Sequence, residues 1–366
     1  MKEGWTYKRL GDVSKIQNGF AFESKLFNSE GRGLPLIRIR DIKRGFSETY
    51  TDEECDDAYI VNNGEYLIGM DGDFNVGYWS GGRALLNQRV CKLVPSDKIN
   101  PRYVYYYLPK ALLEINSKTA YSTVKHLSSK QVAEINIPYP PLSEQEKIVS
   151  YLDAEFATID ALKANIEQQL QASKDLFQSA LKEFLTPKEG WEEKMLGNIC
   201  DILDSKRKPI TKNKREAGNI PYYGATGILD YVKDYIFNER LVLLGEDGAK
   251  WGAGENSAYI IEGKSWVNNH AHALRPHRNI ILDEFLVYYL NYSDLSESIT
   301  GVTVPKLNQE KMRAIVVPMP SLPEQERIAA RLDAISEKVK ALQANYDQTI
   351  TLCNDLKQSL LKSIFE

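Results

Sequence analysis

Basic, amide and aromatic side chains recur together on turn-rich segments in both halves of this chain. Lysine and arginine neutralise phosphates, arginine pairs with guanine, and asparagine or glutamine pairs with adenine. The grouping therefore predicts contacts with duplex DNA, although for any one residue a place in a turn or in the core is an equal alternative. The predicted DNA-contacting residues are Arg38, Arg40, Lys43, Arg44, Asn75, Tyr78, Asn87, Gln88, Arg89, Lys125, Lys206, Arg207, Lys208, Tyr222, Tyr223, Lys250, Asn268, Asn269, His270 and Lys306.

Charge is unevenly distributed along the chain. The formal net charge is −4, yet the stretch 206–215 carries six basic residues and no acid. Much of the acid lies at 48–57 and on two long helical segments. A basic run is more often a solvated loop unless another feature points to nucleic acid, so this stretch supports the DNA prediction only together with the amide and aromatic residues.

One pattern resembles a catalytic site. Glu262 and Lys264 have the Glu-x-Lys spacing of metal-dependent nucleases and follow an acidic turn at Glu246 and Asp247. In such enzymes carboxylates hold Mg²⁺ while the lysine helps to activate water. A three-residue pattern arises often by chance, and the first half of the chain has Gly-Arg-Ala at 82–84 in the equivalent place. Nuclease chemistry is therefore the weaker alternative.

Nucleotide and metal motifs are incomplete. The Gly-Lys-Ser run at 263–265 ends like a phosphate-binding loop, but Ala258 stands where that motif has its first glycine. His270 and His272 share one face of a strand, but no cysteine or acid pair completes a metal site. Structural or base-contacting histidines are the favoured interpretation, and we predict no metal, no cofactor and no active site in this chain.

The elements that must position these residues are two copies of one long helix. The run Pro-Leu-Ser-Glu-Gln-Glu-Lys-Ile at 141–148 returns as Ser-Leu-Pro-Glu-Gln-Glu-Arg-Ile at 321–328, an offset of 180 that persists to the end of each copy. Helices are predicted over 141–185 and 321–365. Ser143 precedes Glu146 by three residues, which indicates a capping box at the first start.

Steps of four and three between apolar residues predict that the two helices pair as a coiled coil. The predicted seam of the second helix is Ile328, Leu332, Ile335, Val339, Leu342, Tyr346, Thr349, Cys353, Leu356, Leu360 and Ser363. The predicted seam of the first is Ile148, Leu152, Glu155, Ile159, Leu162, Ile166, Gln169, Ser173, Leu176, Ala180 and Glu183. The first helix has a further apolar stripe, which we predict to bind a partner: Phe156, Leu170, Phe177 and Phe184.

The segments before the helices are also duplicated. Trp5 with Leu-Gly at 10–11 returns as Trp191 with Leu-Gly at 196–197, and the runs at 67–72 and 243–248 align without a gap. Thr123-Val124 likewise matches Thr303-Val304. We predict strands at 36–39, 66–68, 135–138, 241–244, 259–261 and 314–318, and helices at 101–116 and 283–298.

The predicted fold is α+β, with two similar domains of mainly antiparallel sheet, joined by two long antiparallel coiled-coil helices in an internal pseudo-two-fold repeat. The helices must run antiparallel because the second domain begins directly after the first helix. The predicted divisions are domain 1 at 1–140, the first spacer helix at 141–186, domain 2 at 187–319 and the second spacer helix at 320–366.

On the duplicated helix starts and the Leu-Asp-Ala runs at 152–154 and 332–334, the sequence resembles the specificity (S) subunit of type I restriction-modification systems, the HsdS family. Domain 2 adds Ile-Pro-Tyr-Tyr-Gly-Ala-Thr-Gly at 220–227, Gly-Glu-Asp-Gly at 245–248 and Trp-Val-Asn-Asn-His at 266–270. The resemblance covers essentially the whole chain.

The resemblance implies two target-recognition domains, each reading one half of an asymmetric bipartite site in double-stranded DNA, with the helices setting the gap. It implies two methyltransferase (M) subunits docked on the helices, and restriction and motor (R) subunits that join for cleavage. S-adenosylmethionine, ATP and Mg²⁺ are then expected on the partner subunits, and none on this chain.

The competing class is an adaptor, in which two β-rich heads on a coiled coil bind protein ligands. The 366 residues are 43% hydrophobic, enough for globular cores, and no apolar run approaches the roughly 20 residues that span a bilayer. We therefore expect no membrane partner, and the resemblance implies a cytoplasmic, nucleoid-associated protein of a bacterium or archaeon.

Overall fold

The computed structural model describes residues 4–118, 125–301 and 303–366, so Thr123 and Val124 of the predicted repeat lie outside the described residues. The chain divides into two compact units. Unit 1 comprises Met1–Ala164 and Thr349–Glu366, and unit 2 comprises Asn165–Gln348. Each long helix contributes one part to each unit.

The described residues of unit 1 form ten strands, three short or medium helices, the start of one long helix and the end of another. The strands are β1 Thr6–Arg9, β2 Ser14–Asn18, β3 Leu34–Ile37, β4 Tyr50–Thr51, β5 Ile60–Val61, β6 Tyr66–Gly69, β7 Val76–Tyr78, β8 Ala84–Leu86, β9 Val90–Pro95 and β10 Asn136–Tyr139. The helices are α1 Leu10–Val13, α2 Pro101–Lys118, α3 Ser129–Ala133 and α4 Leu142–Leu185, which continues into unit 2.

Unit 2 repeats this order. Its strands are β11 Glu192–Met195, β12 Cys200–Ile202, β13 Ala217–Gly224, β14 Gly227–Val232, β15 Phe237–Asn238, β16 Leu241–Gly245, β17 Ala258–Ile261, β18 Lys264–Val267, β19 Ala271–Pro276 and β20 Val316–Met319. Its helices are α5 Leu196–Ile199, α6 Asp283–Tyr292, α7 Gln309–Arg313 and α8 Leu322–Phe365, whose last part belongs to unit 1.

The two units have the same sheet topology. Unit 1 forms sheets in the orders β2-β9-β6-β7 and β4-β3-β8-β5, and unit 2 forms β12-β19-β16-β17 and β14-β13-β18-β15. A two-stranded sheet, β1 with β10 or β11 with β20, completes each unit. The pairs are antiparallel except β3 with β8 and β13 with β18. The predicted duplicated α+β fold with mainly antiparallel sheets is confirmed.

Two predicted boundaries are wrong. The strand predicted at 36–39 ends at Ile37, because a 3₁₀ turn at Ile39–Asp41 begins there and the Asp41 carboxylate accepts a hydrogen bond from the Arg38 backbone at 2.9 Å. The helix predicted at 283–298 ends at Tyr292. Asp294 accepts from the Ser296 backbone at 2.9 Å, a local bond that competes with a helical continuation.

The capping box predicted at Ser143 is also wrong. Helix α4 begins at Leu142, so Ser143 lies inside its first turn and is exposed. The side chain that holds the start of the helix is the fully buried Gln145, and Gln325 occupies the same place in α8.

The seam of α4 is shifted from the prediction. Leu162 is 48% exposed and Leu176 is 62% exposed, whereas the Phe156 stripe faces inward. Ile148 and Glu155 of the predicted seam are half-buried. The shifted heptad positions, all buried or half-buried, are Gln145, Val149, Leu152, Phe156, Ile159, Ile166, Leu170, Ser173, Phe177, Ala180 and Phe184. These positions keep heptad spacing, and the large aromatic side chains decide the phase because they bury the most apolar surface.

The predicted seam of α8 is confirmed from Ile328 to Cys353, all buried or half-buried. Beyond Cys353, Leu356 and Ser363 are exposed, and Lys357 and Ile364 take the inward positions. In unit 1 the two helices run antiparallel, since Asp160 binds Lys357 at 2.6 Å while Lys163, further along α4, donates to the earlier Asn354 at 2.6 Å.

Candidate nucleic-acid interface

Five predicted DNA-contacting residues of unit 1 lie together at the ends of neighbouring strands. β3 ends before Arg38, β8 ends before Asn87, and β6 ends before Met70 and Asp71. Side chains that follow these ends line a cleft of about 650 Å³. We call the five residues the polar edge of unit 1: Arg38, Arg40, Asn87, Gln88 and Arg89.

One acid that lines this cleft, Asp71, and one buried acid next to it, Asp41, lie beside the arginines. Asp71 accepts from His126 Nδ1 at 2.6 Å and lies 3.6 Å from Arg89 Nε. The buried Asp41 lies 3.7 Å from Arg40 Nε. Both arginine side chains remain more than half exposed, so the edge presents guanidinium groups to solvent.

The remaining candidates of unit 1 lie elsewhere. Lys43, Arg44 and Tyr78 line a second cleft of about 260 Å³. Asn75 is half-buried and donates to the Ile39 carbonyl at 3.3 Å. Lys125 donates to the backbone of Asn116 at 2.6 Å. These side chains are not part of the polar edge.

In unit 2 the equivalent strand ends carry different side chains. β18 ends before Asn268, which is 2% exposed and accepts from the His270 backbone at 2.8 Å. Asn268 therefore shapes the turn, while Asn269 and His270 are exposed. Half-exposed Lys306 lies beside them, because its backbone forms an isolated β-bridge with Asp247, and its Nζ binds Glu246 at 2.7 Å. We call Asn269, His270 and Lys306 the polar edge of unit 2.

The two edges share one feature by repeat position. His270 pairs with Asp247 through Nδ1, as Arg89 lies beside Asp71 in unit 1. In each unit the basic residue is the third one after a strand, β8 or β18. It lies beside an acid that follows the inner strand β6 or β16. The scaffold is repeated, and the basic group at this position is a guanidinium in unit 1 and an imidazole in unit 2.

Arg207 is not available as a phosphate contact. Its side chain is 11% exposed, and Nη1 donates to Glu246 Oε2 at 2.5 Å and to the Ala271 carbonyl at 2.7 Å. Nη2 lies 3.3 Å from Asp204. Asp204 lies three residues before Arg207, but the sequence could not reveal the contact with Glu246, which is 39 residues further along the chain.

Asp204, Glu246 and His272 have the donor types and the proximity of a metal site, with ligand atoms within 4.8 Å of one another. Their contacts do not fit a metal ion. Arg207 and Lys306 already neutralise the carboxylates, and the two His272 nitrogens face Asp204 at 2.6 Å and the Leu307 carbonyl at 2.7 Å. We interpret the group as a closed ion network in the core of unit 2.

The pKa values of both acids reflect this network. Burial alone raises the pKa of Asp204, but hydrogen bonding and charge from His272 bring it below its usual value. Burial also raises the pKa of Glu246, and the hydrogen bonds from Lys306 and Arg207 lower it by more. Both carboxylates are thus held in their charged form.

The other candidates of unit 2 divide into core and surface. Tyr222 is 1% exposed, and its hydroxyl accepts from the Ile210 backbone at 3.0 Å. Half-buried Tyr223 packs against Tyr259 with ring centroids 6.0 Å apart. The exposed cations are Lys206, Lys208 and Lys250, of which Lys250 lies 3.7 Å from Glu255.

The nuclease pattern is not assembled among the described residues. Glu262 is an exposed side chain that pairs with Arg240 at 3.3 Å, and Lys264 lies over the Tyr235 ring at 5.0 Å. Neither belongs to the group formed by Glu246, Asp204 and His272.

The four residues predicted to bind a partner are packed within their own units. Phe156 makes an edge contact with Tyr106 at 5.4 Å between centroids, and Lys357 lies over its ring. Leu170 and Phe184 are 6% and 7% exposed, and Phe177 packs against the core of unit 2. The second stripe therefore belongs to the intramolecular seam.

No helix in the described ranges is long and apolar enough to cross a membrane.

A duplicated α+β fold with two long helices and an unlike polar edge on each unit is the architecture of a two-domain recognition protein. The family description "type I restriction modification DNA specificity domain" matches residues 2–172 and again 188–352. The chain belongs to this family and is a type I restriction-modification specificity subunit.

Similar proteins and structures span nearly the whole chain. The EcoBI specificity subunit of Escherichia coli is 31% identical over 99% of this chain and 86% of its own length. The StySPI specificity subunit of Salmonella potsdam is 24% identical over 100% and 89%. A chain solved in work on assembly and conformational transition of the type I system has TM-score 0.77, 19% identity and coverages of 100% and 98%. The HsdS subunit of Thermoanaerobacter tengcongensis has TM-score 0.58, 20% identity and coverages of 100% and 97%.

Proposed function

We propose that the polar edge of each unit reads one half-site and that the two half-sites differ in sequence. The observation that carries the proposal is the unlike chemistry of the two edges on one repeated scaffold. Arg38, Arg40 and Arg89 suit guanine, which accepts at O6 and N7, whereas Asn269 suits adenine. Exposed Lys206 and Lys208 contribute contacts to phosphates, which set affinity more than sequence.

We also propose that the helices bind two M subunits through exposed leucines. Leu176 is 62% exposed on α4, and Leu356, at the repeat offset of 180, is 49% exposed on α8. On α8, Leu352 lies one turn before Leu356 and is 58% exposed, so Leu352 and Leu356 are neighbours on one exposed helix face. Two equivalent leucines supply two equivalent docking positions, which suits two copies of one partner.

In this proposal the chain carries no active site of its own. S-adenosylmethionine is bound by the M subunits, while ATP and Mg²⁺ are used by the R subunits that join for cleavage. The closed network around Glu246 and the separate surface pairing of Glu262 support this division of labour. The assembly then acts in the cytoplasm of a bacterium or archaeon, on the nucleoid.

The test is binding of the purified complex with its M subunits to duplex DNA as salt is raised. Phosphate contacts release counterions, so we expect a steep linear fall of log K with log salt. A flat dependence would favour the adaptor class. Incubation of the isolated chain with supercoiled DNA and Mg²⁺ should leave the DNA intact, and cutting that an inactivating change at Glu262 abolishes would restore the nuclease alternative.

A further inference from the structure

The hairpin of β13 and β14 presents a concentration of apolar side chains that the fold does not use. Ile228 is 48% exposed, Leu229 53% and Tyr231 51%, and Tyr235 follows at 46%. Contiguous exposed apolar surface on a soluble protein marks an interaction site. β14 is moreover the edge strand of its sheet, a position that proteins usually protect with charge.

The hairpin adjoins the polar edge of unit 2. Tyr223 in β13 pairs with Ile228 in β14, and the Tyr223 carbonyl accepts from the Asn268 backbone at 3.1 Å. A Cβ on Gly224 would overlap Leu229 Cδ1 and lie 3.5 Å from Asn268 Nδ2. Leu229 therefore lies over a glycine, directly beside the turn that presents Asn269 and His270.

Cations flank the hairpin. Lys212 and Lys214 lie on the turn before β13, and Lys264 lies on the neighbouring strand β18. Among the residues that the structure describes, no carboxylate forms an ion pair with any of these three lysines. In unit 1 the equivalent strand β4 is instead followed by an acidic stretch at 52–57. Lys212 and Lys214 are exposed, and Lys264 lies over the Tyr235 ring at 5.0 Å, so the charge next to this hairpin is positive where unit 1 has an acidic stretch.

We propose that this hairpin enters the major groove of the second half-site, where Ile228 and Leu229 contact thymine methyl groups. The major groove admits a two-stranded β-ribbon, and the thymine C5-methyl is its apolar recognition feature. The flanking lysines neutralise phosphates on either side. The inference rests on the proposed function, since it specifies how one polar edge completes its reading.

The experiment replaces thymine by uracil, which lacks only that methyl, in each half-site in turn. The complex with M subunits is compared for the unaltered chain, Ile228→Ala, Leu229→Ala and the control Met195→Ala, which removes an equally exposed side chain on β11. Uracil at a contacted position should weaken binding by the unaltered chain about 4-fold, the equivalent of one buried methyl. In Leu229→Ala or Ile228→Ala that loss should shrink to less than about 2-fold, as expected when a single contact is already removed.

The effect should be confined to one half-site, while Arg89→Ala alters reading of the other. Gly224→Ala, which displaces Leu229 and keeps its chemistry, should reproduce the Leu229→Ala result.

Equal uracil sensitivity in the unaltered and variant chains would overturn the proposal, as would uracil having no effect on the unaltered chain. Loss of M-subunit binding by the hairpin variants with unchanged DNA reading would assign the hairpin to a protein partner. A complex that discriminates no DNA sequence at all would instead refute the proposed function.

Discussion

Gln145 and Gln325 make the same hydrogen bonds at the starts of the two long helices. Each Nε2 donates at 2.9 Å to a proline carbonyl five residues earlier, Pro140 or Pro320. Each Oε1 accepts from a backbone N–H just before or at the start of a globular helix, at Asn100 (2.9 Å) or Leu282 (2.8 Å). In each unit, one buried glutamine amide therefore links the start of the long helix to the globular part by hydrogen bonds.

Replacing either glutamine by alanine should destabilise the protein, because a buried N–H and a buried carbonyl lose their partners. We expect a loss of about 1–3 kcal/mol for each variant. Hydrogen exchange should show where the loss falls: Gln145→Ala should raise exchange around Asn100 and Gln325→Ala around Leu282. The exposed Gln168→Ala is the control, and equal behaviour of all three variants would show that the buried amides have no special role.

Arg207 and Lys208 are adjacent but should behave differently. Lys208→Ala should lower the salt slope of DNA binding by about 1 if it removes one phosphate contact. Arg207→Ala should leave the slope unchanged and reduce stability, because it leaves Glu246 and Asp204 without their guanidinium. Salt titrations and urea melts of both variants separate the two roles. A reduced slope for Arg207→Ala with unchanged stability would contradict the assignment of Arg207 to the core.

The ion network should make unit 2 sensitive to acid. The pKa values of Asp204 and Glu246 are lowered by folding, so these groups contribute stability above their unfolded pKa values, and that contribution is lost as pH falls through the folded ones. Glu246→Gln should therefore cost about 2 kcal/mol at neutral pH and progressively less below about pH 4. Glu262→Gln, at an exposed acid, is the control. A penalty for Glu246→Gln that is independent of pH would argue against the network.

The exposed leucines should govern docking of the M subunits. Leu176→Arg or Leu356→Arg should reduce the number of bound M subunits from two to one, and the double variant should abolish binding. Phe177→Ala should act through the fold instead, with a loss of about 3 kcal/mol typical of a buried aromatic residue. Native mass spectrometry with Gln168→Arg as the control counts the subunits. Full occupancy in the leucine double variant would exclude this face as the docking surface.

The duplication was predictable because matching sequence runs occur in both halves of the chain. The start at Leu142 and the end at Leu185 follow closely from the motif and from the next domain, and the shared topology follows from the aligned runs. The phase of the α4 seam was not predictable from spacing alone. The stripe that contains Leu162 and the stripe that contains Phe156 both have heptad spacing. The Phe156 stripe is the buried one because Phe156 packs against Tyr106 and α8.

The sequence places Arg38 and Asn87 directly after runs that the structure shows as buried strands, so their position at one sheet edge was predictable, while their role in DNA reading stays a prediction. The position of Arg207 was not predictable, because Glu246, which accepts a hydrogen bond from its Nη1, lies 39 residues further along the chain. Nor was that of Ile228 and Leu229, whose apolar side chains look like core until β14 proves to be an edge strand. The sequence was enough to select basic and amide residues as candidates for DNA contact. Selecting the apolar candidates Ile228 and Leu229 required their solvent exposure in the structure.

The central claim is that two unlike edges on one repeated scaffold read two unlike half-sites. Its most direct test is to express the chain with its cognate M subunit in a host free of DNA methylation and to sequence the DNA for modified adenine. The account predicts a bipartite motif with two different halves and a fixed gap. A palindromic motif, or no new methylation despite a soluble complex with the M subunit, would contradict it.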